Sequence, residues 1–207
     1  MVATITGTIP RKRIPQKKIP SSLIYEIWDG KPIYFKNYED VVNGIKTKEE
    51  IMGASALQSF IVSYVVSIIL KQIDDDLYSV LTNESGLHLD KGNNLSGDVL
   101  IFDTETLPIS SIGLHYVDVA PKIAIEVDID ADTKDLGEDG YIYGKTQKLL
   151  DFGCEKVIWV TTKNKKVLIA TPNEDWILKD WNKDVEIFDN IYFNIGQYLQ
   201  KKGSPFA

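Results

Sequence analysis

Apolar positions repeat with a helical period across residues 56–72: Leu57, Phe60, Ile61, Tyr64, Val65, Ile68 and Ile69. Spacings of three and four gather them on one broad face, which predicts a largely buried helix. Ser55 with Gln58 forms a capping box at its start, and Thr47 with Glu50 forms another for a short helical turn upstream. Ser59, Ser63 and Ser67 mark a thin polar strip or a close helix contact. Elsewhere the period is two. Along residues 122–130, Ile123, Ile125, Val127 and Ile129 point one way, and Ala124, Glu126, Asp128 and Asp130 the other. Residues 25–28 and 32–34 flank Asp29-Gly30 and read as a hairpin. Apolar runs at 78–81, 87–89, 99–102, 157–160 and 167–170 predict strands, with shorter ones at 176–178, 185–188 and 191–193. A second helix is expected over 139–152, stopped by Gly153, and a short one over 197–201. Helix, strands, helix, strands is the order of a mixed α/β domain.

Composition narrows the class. The 207 residues suit one domain, and 43% apolar content supports a sizeable core. No apolar run approaches the roughly 18 residues of a membrane helix, and the N-terminus lacks the apolar stretch of a secretory signal. Cys154 alone forms no internal disulfide, and with His88 and His115 it is too little for a usual structural zinc site. The expectation is a soluble, cytoplasmic protein without a membrane segment. Its charge is uneven. Arg11, Lys12, Arg13, Lys17 and Lys18 give residues 1–20 a charge of +5 with no acid, so within a net −7 the remainder carries −12. Two units are expected: a basic, Pro-containing arm (1–20) and one domain (21–207).

Candidate chemistry centres on the polar face of the 122–130 strand. Glu126 and Asp128 would sit ~6.5–7 Å apart on that face and repel each other unless a cation or a proton intervened. Asp98 opens the strand at 99–102. If the two strands are neighbours, Asp98 and Glu126 converge on one hard cation. Mg2+ accepts one or two carboxylates, keeps several waters, and can polarise a phosphoryl oxygen and generate hydroxide. The bland alternative is an exposed polar sheet edge, and the local pattern leaves both open. Asp128, Asp130, Asp132 and Asp139 match a calcium loop poorly, because Thr133 stands where glycine is required. Cys154 reads as a buried structural thiol.

Asp98, then Glu126-Val127-Asp128, then a helix bearing Lys145 resembles the PD-(D/E)XK nucleases. Within them the chain is similar to the Uma-type family of bacterial candidate restriction endonucleases, a domain of unknown function. The resemblance runs over about 25–199. It rests on residues 25–30, on Gly53-Ala54-Ser55 with Gln58 (where histidine is usual), and on Gly97-Asp98-Val99. Residues 120–127 and 152–160 complete it. It implies a restriction-endonuclease-like mixed β-sheet core flanked by helices, and Mg2+- or Mn2+-dependent hydrolysis of DNA phosphodiesters. Asp98, Glu126 and the Val127 carbonyl would hold the metal, and Lys145 would orient or activate the attacking water. Glu26 would be a further carboxylate, Gln147 a phosphate contact and Lys148 the reserve lysine. A homodimer is plausible, since such nucleases often pair to cut both strands.

Three departures qualify the resemblance. Gly97 replaces the usual proline, Asp128 stands at the usual lysine position, and residues 129–143 form a longer segment than is usual. A competing reading follows from the acidic body and Asp128: a catalytically inactive nuclease fold that serves as a binding or dimeric interaction module. The arm also has two readings, a phosphate-grasping segment or a solvated tail, which charge runs usually are. Deleting residues 1–20 separates them. Weakened DNA binding in a retardation assay is expected of the grasping arm, and unchanged affinity assigns the tail.

Overall fold

A computed structural model describes residues 18–207, so nearly all of the basic arm lies outside the described residues. The strands are β1 (Ile24–Trp28), β2 (Lys31–Tyr34), β3 (Tyr78–Asp90), β4 (Asn93–Asp103), β5 (Ile123–Val127), β6 (Lys156–Thr161), β7 (Lys166–Ala170), β8 (Ile177–Asp180), β9 (Val185–Phe188) and β10 (Ile191–Phe193). The helices are α1 (Tyr38–Val42), α2 (Ala56–Gln72), α3 (Glu138–Phe152) and α4 (Ile195–Lys201). Eight strands form one mixed sheet in the order β2-β1-β4-β5-β6-β7-β8, with β3 also paired to β4; β9 and β10 form a separate hairpin. The expected α/β class holds: a large mixed sheet flanked by helices.

Local signals explain the elements that frame the site. Asp29 and Gly30 take φ of 50° and 75°, so the β1–β2 turn is left-handed at both central positions, as an Asp-Gly hairpin requires. Ser55 Oγ accepts the Gln58 N–H at 3.1 Å and starts α2. Gly153, at φ 119°, ends α3. The Thr47 box forms only in part: the Glu50 carboxylate accepts the Thr47 N–H, but the segment stays a turn.

α2 buries Ile61, Val65 and Ile69 against Val99, Ile101, Ile123, Ile125, Val127 and Ile158 on one face of the sheet. It is less buried than its pattern promised, with Phe60 and Leu70 exposed. α3 covers the other face, where Tyr141 and Leu149 meet Leu100, Phe102, Ala124 and Trp159. β5 is therefore buried on both sides. All five of its residues are buried, as in the centre of a covered sheet.

Two expectations are corrected. The runs at 78–81 and 87–89 are one long strand, β3, interrupted by a bulge at Asn83-Glu84, where φ is 67° and 54°. The alternation over 122–130 also stops early. β5 ends at Val127, and Asp128 turns left-handed at φ 61°, so it does not share a strand face with Glu126.

Candidate active site

The pairing around β4 creates a fork. β3 runs along one edge of β4 from Asp103 to Asn93. β1 and β5 share the other edge: β1 pairs at Asn94, and β5 pairs at Val99, Leu100 and Ile101. Between them, on that edge, Ser96, Gly97 and Asp98 face a gap where no strand of the described residues supplies backbone partners. Carboxylates fill that role. The Ser96 N–H donates to Glu26 Oε1 at 3.1 Å, and the Val127 N–H donates to Asp98 Oδ2 at 2.7 Å. Continuing the β4–β5 register beyond Val99↔Ile125 sets Asp98 beside Glu126.

α3 delivers a cation into this fork. Lys145 is 1% exposed, and its Nζ lies 3.0 Å from Glu26 Oε1 and 3.1 Å from Glu126 Oε2. Gly144 allows the approach, because a Cβ there would stand 2.9 Å from the Trp28 ring. The rings of Tyr141 and Trp159 lie 6.0 and 5.5 Å from the ammonium. Trp159 is held in turn by Thr146, whose Oγ1 accepts its indole N–H at 2.9 Å.

One lysine thus faces Glu26, Glu126 and Asp98, and the site is short of positive charge. Burial raises Glu126 to about 8, against the pull of Lys145, with Asp98 and Glu26 adding repulsion. Burial also raises Asp98 to about 6, although the Val127 N–H and Lys145 oppose it. Burial alone would lower Lys145, but Glu126 and Glu26 outweigh it and hold the lysine well above its ordinary range. Glu126 Oε1 is buried and has no hydrogen-bond partner among the described residues. A buried carboxylate oxygen without a donor is costly, and such an atom calls for an explanation, an ion being one.

The expected site residues separate into two groups. Asp98, Glu26, Glu126 and Lys145 come together. Asp128 does not join them: its Oδ1 accepts the Thr162 N–H and its Oδ2 accepts the Thr162 hydroxyl, both at 2.7 Å. Gln147 donates to Asp151 along α3. Lys148 points to the β1–β2 turn, where it bonds Asp29 and Asn93. Cys154 is fully buried, and burial lifts its thiol to about 12, which suits a structural residue.

Sequence reading missed the outer wall. A groove of about 550 Å3 runs from the serine strip of α2, Ser59 and Ser63, to Asp98, Gln58 and the bulge residue Glu84. Gln58 Nε2 donates to Asp130 Oδ2 at 2.9 Å. Partial desolvation and then the Asp130 and Asp98 charges raise Glu84. Its only signal in the sequence was the polar Thr-Asn-Glu-Ser-Gly stretch, which reads equally well as a turn. A cleft of about 570 Å3 on the far side, lined by Leu81, Thr106 and His115, contains none of these carboxylates.

No family model matches the chain, and no curated protein matches it. Among solved structures, it is similar to the crystal structure of a "putative nuclease belonging to DUF820" from Anabaena variabilis ATCC 29413. The TM-score is 0.62 at 15% sequence identity, covering 87% of this chain and 92% of the other. At that identity the likeness concerns the fold alone. Among the described residues, no helix is long and apolar enough to cross a membrane.

The raised carboxylates fix the sign of a pH effect. Between about pH 4, where free carboxyls titrate, and the folded values of about 6 for Asp98 and about 8 for Glu126, the folded protein binds more protons than the unfolded chain. Rising pH therefore favours unfolding. Urea unfolding in EDTA is expected to show stability falling from pH 5 to pH 8; a rise across that window contradicts the assignment. Lys145→Met should lose about 3–5 kcal/mol at neutral pH, as a broken buried ion pair does, and lose less at pH 5.

Proposed function

We propose that this protein is a Mg2+- or Mn2+-dependent endonuclease that hydrolyses DNA phosphodiester bonds by attack of water. One observation carries the reading: Glu126 presents one oxygen to Lys145 and keeps the other buried and unpartnered, beside Asp98. Among the described residues, no group of three or more His, Cys, Asp or Glu is arranged to hold a metal ion. Two carboxylates are nevertheless enough for magnesium, which keeps several waters. Asp98, Glu126 and the Val127 carbonyl oxygen are the proposed ligands. When bound, the ion would polarise the phosphoryl oxygen and acidify a coordinated water.

The residues of the chain do the rest. Asp98 keeps its Oδ2 on the Val127 N–H, which fixes the carboxyl plane and leaves its second oxygen for the ligand role. It is also the least buried member of the set, at the mouth of the groove. Lys145 brings a fixed positive charge to the point where negative charge grows on the phosphate, and it orients the water by hydrogen bonding. Asp128 has no part in this scheme, because Thr162 occupies both its oxygens. Paired copies would place two such sites on opposite strands.

A second reading has its own support. Among the described residues, the groove leading to Asp98 is lined by Glu84 and by no Lys or Arg, a poor surface for a polyanion. That favours a nuclease fold retained as a binding or dimeric interaction module.

Cleavage of supercoiled and linear DNA in Mg2+ or Mn2+ decides between them. The nuclease reading expects nicking that Glu126→Ala and Lys145→Ala each reduce by about 100-fold or more, with Asp98→Asn as the variant least disturbing to the fold. Cleavage that survives all three points to another site. Neither cleavage nor metal binding by calorimetry assigns the interaction module.

A further inference from the structure

Glu26 is the most completely bonded carboxylate at the fork. Its Oε2 accepts the Trp28 indole N–H at 3.0 Å and the Tyr141 hydroxyl at 2.7 Å. Its Oε1 accepts the Ser96 N–H at 3.1 Å and the Ser96 hydroxyl at 3.4 Å, and pairs with Lys145 Nζ at 3.0 Å. A carboxylate has about four lone-pair sites, and five donors already surround this one. Nothing is left for a cation. Glu26 is also buried, at 2% exposure.

Its neighbours make Glu26 immobile. Trp28 and Tyr141 stack at 4.9 Å with an interplanar angle of 14°. Tyr141 meets Trp159 edge to face at 6.2 Å. These rings join β1, α3 and β6, so the Glu26 carboxylate is anchored to three elements and to the Ser96 backbone of β4. Lys145 has three N–H groups. Glu26 takes one and Glu126 another, which leaves one free. Glu126 is the partner with an unmet demand; Glu26 is the partner that cannot move.

We propose that Glu26 is a positioning residue: it does not ligate metal but anchors the Lys145 ammonium, so that Glu126 can turn to a cation without releasing the lysine. The catalytic consequence rests on the nuclease reading; the anchoring does not. A long lysine side chain loses much rotamer freedom when fixed, and a second carboxylate holds it in one place through the reaction.

The test uses the full chain with 15N-labelled lysine. The parent should show a slowly exchanging ammonium resonance, assigned to Lys145 by its loss in Lys145→Met. In Glu26→Gln that resonance should broaden or vanish, while Mn2+ affinity by calorimetry falls by no more than about 100-fold, the range for a residue that acts through a metal ligand. On DNA, Glu26→Gln should lower kcat by more than about tenfold and leave KM near the parent value. An unchanged ammonium resonance, or a larger loss of Mn2+ affinity, overturns the proposal. Tyr141→Phe removes one donor from Oε2 and keeps the Glu26–Lys145 pair. It carries the same three readouts, with smaller expected changes, if Glu26→Gln fails to fold. If the parent does not cleave DNA, the nuclease reading fails, and the ammonium spectrum with the metal affinity still decides the anchoring.

Discussion

A single buried ammonium organises this molecule. Lys145 lies between Glu26 and Glu126, with Asp98 near by, and almost no solvent reaches it. Removing such charges from water costs several kcal/mol per ion unless they are paired and hydrogen-bonded. The surroundings meet that condition with named atoms. Ser96, Trp28 and Tyr141 satisfy Glu26. The Val127 N–H serves Asp98, and Gly144 lets α3 come close to Trp28. Among the described residues, the one deficit is Glu126 Oε1.

The strand fork explains why the charges gather there. Where β1 and β5 part along the edge of β4, backbone donors face a gap instead of a neighbouring strand. Side-chain carboxylates satisfy the Ser96 and Val127 N–H groups. The same gap admits the tip of a long side chain from α3. The architecture thus sets, at one point, two neighbouring carboxylates and one buried positive charge. Phosphoryl transfer calls for such a set. The outer wall is acidic, with Glu84 and Asp130 near Asp98. A polyanion would therefore meet repulsion at this mouth unless a cation were bound. Metal binding and substrate binding would be coupled by that charge.

Much of this was legible in the sequence, for physical reasons. The hairpin at Asp29-Gly30, the Ser55 cap and the Gly153 stop are local signals that do not depend on tertiary context. Asp98 and Glu126 could be named from the strand pattern and Lys145 from the resemblance, and the structure brings the three together. Asp128 could not be excluded by alternation, because a left-handed residue after Val127 leaves no mark on a period-two pattern. Glu84 was hidden because a bulge inside a long strand has the composition of a turn. The depth of Glu26 was invisible for another reason. Its partners, Ser96 and Tyr141, lie 70 and 115 residues away, and no local pattern encodes such a meeting.

Glu126 and Asp98 are proposed to share a cation while Lys145 stays on Glu26. A crystal grown in MnCl2, with data collected at the manganese absorption edge, tests it most directly. One anomalous peak is expected in contact with Glu126 Oε1 and an Asp98 oxygen, with Lys145 still paired to Glu26. A peak elsewhere, or one in contact with Glu26, would contradict it.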